Sequence, residues 1–218
     1  MAHGLSLVEL LVSLALGLVV IAAAMSLLVA AMRSQQHLAL EGRLLGELRM
    51  AHDTVSRSLR RAGHWSGAAS SVAMGNTPGI ANPLAPVMTA DTGNAVALHY
   101  SRDAIASTAA TPDEQVGFRL RAGVLQAQIG AGPWQALTDA DSLVVTRFQV
   151  MPRVRTRDLG AACATECPAG STTCPPRILT RSADIEITGR SVADPALVRS
   201  VHGAVGIRND AIVGACAP

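Results

Sequence analysis

The first side chain that could do chemistry is the carboxylate of Glu9, which stands at the start of a long apolar segment. Leu10–Met32 follows it directly and contains no ionisable side chain. A charged residue in the middle of a bilayer costs about 2.5–3.5 kcal/mol on insertion scales. An acid at this place therefore predicts a specific partner for its charge.

Cleavage of the chain between Gly4 and Leu5 would supply that partner. Leu5 would then carry a new α-amine, and Glu9 would become the fifth residue of the mature chain. In an assembly of related helices, the carboxylate of one subunit can pair with the terminal amine of a neighbour, which removes most of the penalty of an isolated charge. The pair would also fix the axial register between subunits, because any other stagger leaves both charges unpaired.

Two other interpretations of the apolar segment stay open. A cleaved secretory signal would need a basic n-region and a small-residue cleavage site. Ala22–Ala24 could serve as that site, but the residues before the segment, MAHGLSLVE, include no Lys or Arg. A simple signal anchor accounts for the length, since a membrane helix needs about 20 apolar residues, but it leaves Glu9 unexplained.

The segment Gly4-Leu5-Ser6-Leu7-Val8-Glu9-Leu10, with the apolar run behind it, resembles the processing motif of type IV prepilins and type II secretion pseudopilins. In that family a prepilin peptidase cuts after the glycine and methylates the new N-terminus. The resemblance implies that Met1–Gly4 is a leader peptide and that cleavage falls between Gly4 and Leu5. It also implies that Leu5 is N-methylated and that Glu9 is the assembly glutamate.

Four cysteines fall near the end of the chain: Cys163, Cys167, Cys174 and Cys216. In an oxidising compartment an even number of cysteines predicts disulfides, here two bridges, and four cysteines allow three pairings. Prolines and glycines surround the first three, which predicts a loop held by bridges, with Cys216 fastening the C-terminal tail. A zinc site is the alternative, although C-x3-C-x6-C lacks the usual C-x2-C knuckles.

Arg153, Arg155 and Arg157 concentrate positive charge within a few residues. Such a cluster could contact the phosphates of DNA, but no aromatic side chain lies between these arginines to stack on bases. The formal net charge of the whole chain is only +2. We therefore expect a solvated strand face and no nucleic-acid partner, with DNA contact as the alternative.

The remaining polar residues form no recognisable catalytic motif. The sequence contains no G-x-S-x-G, no H-E-x-x-H and no glycine-rich phosphate loop, and its histidines are scattered. Thr138–Ser142 could offer oxygens to calcium but lacks the full D-x-[DN]-x-[DN]-G loop, so it predicts a turn. We expect no enzyme, no cofactor and no metal.

The elements that must position these residues begin with one long helix. No proline occurs before Pro78, which predicts a helix from about Ser6 to about Ala62, much longer than a bilayer is thick. Gly63 is the expected C-cap. The distal half of this helix carries an apolar stripe at steps of three and four, which predicts a head domain packed against it. The stripe consists of Leu44, Leu48, Ala51, Val55, Leu59 and Ala62.

The composition changes after Gly63. Residues 66–94 are rich in small and polar residues, which predicts a loop-dominated connector. Ala122-Gly123 predicts a tight hairpin turn. Strands are predicted at Ala95–Tyr100, Val116–Arg121, Val124–Ile129, Trp134–Leu137, Leu143–Met151, Ala183–Val192 and Val198–Arg208.

These elements predict a pilin-like α+β fold, in which a long N-terminal helix packs on an antiparallel sheet. We divide the chain into a leader (residues 1–4), the transmembrane half of the helix (5–32), its amphipathic half (33–63) and a head (64–218). The head is expected to be periplasmic and β-rich, with the cysteine-containing loop near its C-terminus.

A second resemblance is to the PilW-type minor pilins and the related J-type pseudopilins. The segments that carry it are Leu59-Arg60-Arg61-Ala62-Gly63-His64-Trp65-Ser66-Gly67, Phe118-Arg119-Leu120 with Val124-Leu125, Trp134-Gln135-Ala136-Leu137 and Gly206-Ile207-Arg208-Asn209. It implies a minor pilin that helps to prime type IV pilus assembly at the filament tip. The alternatives are a J-type pseudopilin of type II secretion and a DNA-binding or adhesive tip subunit.

The same resemblance implies where the chain resides and what it meets. Its helix would hold it in the inner membrane, with the head in the periplasm, until it enters a pilus or pseudopilus. The expected partners are the prepilin peptidase, other minor and major pilins, the inner-membrane assembly platform and the membrane lipid.

Overall fold

A computed structural model gives the fold of the chain and describes residues 7–71, 79–90, 93–105 and 108–217. The first element is the helix α1, Leu7–Arg61. Short 3-10 segments lie at Ala68–Ser71, Pro112–Glu114 and Gly160–Ala162. The chain divides into two compact units, Met1–Arg43 and Leu44–Pro218. In the described residues, the first unit is the part of α1 from Leu7 to Arg43, which is mostly exposed, and the second is the head with the remainder of α1.

The apolar stripe on the distal half of α1 is buried, as its spacing predicts. Five of its six members are completely buried, and Leu44 is nearly so. The helix ends at Arg61, and Gly63 follows with a φ of +74°, a backbone conformation that glycine adopts without a steric penalty. The N–H of Gly63 donates to the carbonyl oxygen of His99 at 2.8 Å, which ties the end of the helix to the head.

The described residues form two antiparallel sheets, where the sequence predicts one. The first sheet has the order β1-β2-β3-β4-β5. Its strands are β1 (Met88–Thr89), β2 (Ala95–His99), β3 (Gln115–Arg121), β4 (Val124–Ile129) and β5 (Gln135–Ala136). The predicted hairpin between β3 and β4 is confirmed, since Arg121 faces Val124 across a two-residue turn. Both turn residues, Ala122 and Gly123, have positive φ, the conformation that matches strand twist in such hairpins.

The second sheet has β7 at its centre, with the order β6-β7-β8. Its strands are β6 (Leu143–Asp158), β7 (Arg177–Ser191) and β8 (Val198–Val213). All three are longer than the sequence predicts, because their added residues have no clear alternation of apolar and polar side chains. Residues 151–158 of β6 are all exposed, and backbone pairing with β7 extends the strand there.

The helix packs on the second sheet at two glycines. A Cβ on Gly189 of β7 would lie 2.4 Å from Leu143 Cδ1 and 3.2 Å from Leu48 Cδ2. A Cβ on Gly203 of β8 would lie 2.5 Å from His52 Nε2. Since Leu48 and His52 are one helical turn apart, these glycines let the helix and the sheet approach closely. The α+β architecture predicted from the sequence is therefore confirmed.

The connector between helix and sheets is held by polar side chains. Asn82 Nδ2 donates to the carbonyl oxygen of Gly63 at 2.7 Å. The guanidinium of Arg181, on β7, donates to the carbonyl oxygen of Ala85. Burial lowers the pKa of Arg181, and the nearby carboxylate of Asp210 raises it in part. This half-buried cation thus fastens the connector to the second sheet.

Candidate functional site

Glu9 lies in the first turn of α1, and its side chain is exposed. Leu7, Val8 and Leu10 beside it are exposed as well, so the carboxylate stands on an apolar surface. A negative charge near a helix N-terminus is favoured by the helix dipole. Gly4 and Leu5 lie outside the described residues, so the cleavage and methylation assigned to them stay predictions. A positively charged group that packs against this face of the helix could therefore bind the carboxylate.

The residues after Glu9 present an apolar surface in every direction around the helix. The apolar window of α1 contains no buried residue, and by length and composition the helix can cross a membrane. Two hydroxyls interrupt this surface, and both bond to the helix itself. Ser13 Oγ donates to the carbonyl oxygen of Leu10 at 2.9 Å, and Ser26 Oγ donates to that of Ala23 at 2.7 Å. Hydroxyls satisfied within their own helix are compatible with a lipid environment.

The four cysteines of the head form two disulfides. Cys163 is bonded to Cys216, 53 residues away, and Cys167 is bonded to Cys174. This is one of the three pairings that the sequence allows. Because each sulfur is bonded to another, none is a thiolate able to bind zinc. Ala215 N–H also donates to the carbonyl oxygen of Thr173 at 2.9 Å, so the C-terminal tail is joined to the cysteine loop by a hydrogen bond as well.

The arginines of β6 lie on one face of the second sheet and are partly neutralised. Arg153 Nε bonds to Asp184 Oδ2 of β7, and Arg147 Nε lies 3.0 Å from Glu186 Oε1 of the same strand. Arg155 lies on this face, exposed and opposite an uncharged residue of β7, as does Arg157. Of the three arginines on which the DNA-contact alternative depends, Arg153 is therefore offset by a carboxylate of β7, whereas Arg155 and Arg157 are exposed.

Thr138–Ser142 forms a turn, as its residues predict. Asp139 Oδ1 accepts the N–H of Asp141 at 3.0 Å. Ser142 Oγ donates to the carboxylate of Glu47 on α1, at 2.8 and 2.7 Å to its two oxygens. Asp139 is thus used within the turn, and Ser142 joins the turn to the helix.

One cluster was missed by sequence reasoning. Arg57, Arg60 and Arg61 lie near the C-terminal end of α1. They line one cleft with Arg102, from the loop after β2, and Arg208, from β8. We call this the arginine cleft. The sequence alone could have indicated only a cluster of the three helical arginines. The other two come from segments about 40 and 150 residues further along the chain.

The fold and the features above define a pilin-like protein. A helix long and apolar enough for a membrane carries an acid in its first turn, and its distal half packs on antiparallel sheets. The family model for PpdB, prepilin peptidase-dependent protein B, matches residues 37–207. The chain therefore belongs to this family, whose name implies dependence on prepilin peptidase. No curated protein and no solved structure matches the chain.

The family match and the N-terminal motif are separate observations. The matched residues begin at 37, after the apolar segment has ended. The resemblance at Gly4–Glu9 does not depend on any residue of the head. The family match does not include the motif. The family name and the resemblance of the motif each imply dependence on prepilin peptidase.

Proposed function

We propose that the chain is a minor pilin, a structural subunit that prepilin peptidase processes and that helps to prime type IV pilus assembly at the filament tip. The observation that carries this proposal is Glu9, a carboxylate in the first turn of an exposed, membrane-length helix in a member of the PpdB family. The resemblance to PilW-type minor pilins supplies the position near the tip.

The proposed mechanism depends on the pairing of two charges. Cleavage after Gly4 gives Leu5 an α-amine, methylated or not, that carries a positive charge. The carboxylate of Glu9 in one subunit accepts hydrogen bonds from the N-terminal amine of a neighbour. In apolar surroundings this pair is strong, because neither partner is hydrated and each compensates the other. The subunit is thereby drawn from the membrane into one axial position in the filament.

The proposed location is the inner membrane, with the head in the periplasm. The apolar helix supports the first part of this statement. The two disulfides support the second part, because structural disulfides persist in oxidising compartments such as the periplasm. The proposed partners are other minor pilins, the major pilin and the assembly platform, and the chain would be a substrate of the peptidase rather than an enzyme.

The alternative within the same class is a J-type pseudopilin of type II secretion. It would use the same helix, the same glutamate and the same processing. The DNA-binding or adhesive tip subunit is supported less, because Asp184 offsets the charge of Arg153 and no aromatic side chain lies between Arg153, Arg155 and Arg157.

Glu9→Gln tests the mechanism, since it keeps the shape of the side chain and removes its charge. In a host strain that lacks the wild-type chain, we expect the variant to reach the membrane and be processed, while its amount in sheared filaments falls at least about tenfold. Immunoblots of membrane and filament fractions measure both quantities. Glu166→Gln, at an exposed position in the cysteine loop, is the matched control and should enter filaments normally.

Entry of the Glu9→Gln variant into filaments at the wild-type level would contradict the pairing mechanism. The same deletion strain separates the two alternatives of the class. Loss of surface pili with normal protein secretion supports the minor pilin, whereas normal pili with lost secretion supports the pseudopilin.

A further inference from the structure

The arginine cleft is a basic cavity in the head, with a volume of about 1000 Å³. It lies between the end of α1, the loop that follows β2, and β8. Its cationic lining comprises Arg57, Arg60, Arg61, Arg102 and Arg208, with His64 beside them. Among the residues that the structure describes, no Asp or Glu lines the cleft. The five guanidinium groups are permanently charged and repel one another, so an anion in the cleft would be favoured.

Two carboxylates adjoin lining residues of the cleft in sequence, those of Asp53 and Asp103. Asp53 Oδ1 lies 3.6 Å from His52 Nδ1, and Asp103 is used within its own loop. Asp103 Oδ1 accepts the N–H of Ile105 at 3.0 Å and lies 3.4 Å from Ser101 Oγ. It thereby shapes the loop that carries Arg102. The positive charge is concentrated locally, since the net charge of the chain is only +2.

Two of the guanidinium groups are held in place. That of Arg61 stacks over the ring of Tyr100, 4.4 Å from its centroid, and this ring is buried. Arg57 Nη2 donates to Thr54 Oγ1 at 3.1 Å, and Thr54 Oγ1 donates to the carbonyl oxygen of Met50 at 2.9 Å. Arginines that are already oriented lose little conformational entropy when they bind a ligand. The cleft is therefore organised for a ligand with several negative groups.

We propose that the arginine cleft binds an acidic segment of a partner protein, with Asp and Glu carboxylates of the partner held by the guanidinium forks. Planar carboxylates match these forks and can accept two parallel hydrogen bonds from each. An open cleft lined by three elements of the head suits a loop or strand laid into it. Duplex or single-stranded nucleic acid fits less well, because the described lining of the cleft includes no Phe, Tyr or Trp ring on which bases could stack. The proposal goes beyond filament assembly and would hold whether or not the chain enters a pilus.

The test uses the full-length chain in detergent micelles and a fluorescein-labelled hepta-glutamate peptide, with hepta-glutamine as the uncharged probe. We expect fluorescence anisotropy to show binding of hepta-glutamate only. The double substitution Arg60→Gln with Arg102→Gln should weaken it at least about tenfold, because two charge-assisted pairs are removed. The matched control, Arg155→Gln with Arg157→Gln, removes the same charge from exposed positions of β6 and should change the affinity less than about twofold.

Several results would overturn the proposal. These are no binding, equal binding of the glutamine peptide, or equal weakening by the cleft and control substitutions. Tighter binding of a duplex oligonucleotide through the cleft would show that the ligand is nucleic acid. Self-association of the wild type that the cleft substitutions abolish would show that the ligand is a second copy of the chain. Circular dichroism checks that each variant is folded. The double substitution Arg60→Gln with Arg208→Gln is a second cleft variant, for use if the first does not fold.

Discussion

At the scale of single residues, two glycines decide how closely the helix can approach the second sheet. Gly189 stands where a side chain would enter the space of Leu143 and Leu48, and Gly203 stands where it would meet the ring of His52. An isolated glycine in a strand weakens the strand unless another group needs the space. The apolar stripe of α1 could be predicted from its spacing, but the strand positions that it contacts could not, since they depend on the register of β7 and β8.

Gly189→Ala should therefore destabilise the head by about 1–3 kcal/mol, because the new methyl overlaps buried side chains. Gly206→Ala is the matched control on β8, where a Cβ meets nothing within 4 Å. It should be neutral or stabilise by up to about 1 kcal/mol, because alanine has fewer conformations in the unfolded chain. Urea unfolding of both variants measures the difference. Equal free energies of unfolding would show that the helix does not pack at Gly189 as described.

At the scale of elements, the helix and the hairpin were readable from the sequence, while the long strands were only partly so. The helix is marked by apolar periodicity and by Gly63, and the hairpin by Ala122-Gly123. The sequence predicts that β6 ends at Met151, but the strand continues to Asp158, and residues 151–158 are all exposed. Its extension depends on backbone pairing with β7, which leaves no pattern of buried side chains. Division of the strands between two sheets was missed for the same reason, since periodicity identifies a strand but not its neighbour.

The two disulfides should differ in their contributions to the stability of the head. In the chain-entropy estimate, Cys163–Cys216 closes a long loop and contributes about 4 kcal/mol, whereas Cys167–Cys174 closes a short one and contributes about 2.4 kcal/mol. Replacement of both members of each pair by Ser, followed by urea unfolding, measures the two losses. A larger loss of unfolding free energy for the Cys167–Cys174 pair than for the Cys163–Cys216 pair would contradict this expectation.

At the scale of the whole molecule, two segments of the chain indicate the same class of protein. The N-terminal segment resembles the processing motif of prepilins, and the head matches the PpdB family. The class and the α+β fold could be predicted because they depend on local patterns, namely Gly4 to Glu9, the apolar run and the stripe. The arginine cleft could not be predicted, because Arg102 and Arg208 reach it through the folding of segments far apart in sequence. Features made by one segment were therefore readable, and features made by three segments required the structure.

The central claim is that prepilin peptidase processes this chain between Gly4 and Leu5. The most direct test is the intact mass of the full-length protein from membranes, with and without co-expressed prepilin peptidase, alongside a Gly4→Val variant. We expect the wild type to lose Met1–Gly4 and gain one methyl group on Leu5 only when the peptidase is present, and the variant to stay uncut. An uncut wild type would leave a simple membrane anchor, and cleavage near Ala24 would make the chain a secreted protein; either result would contradict the claim.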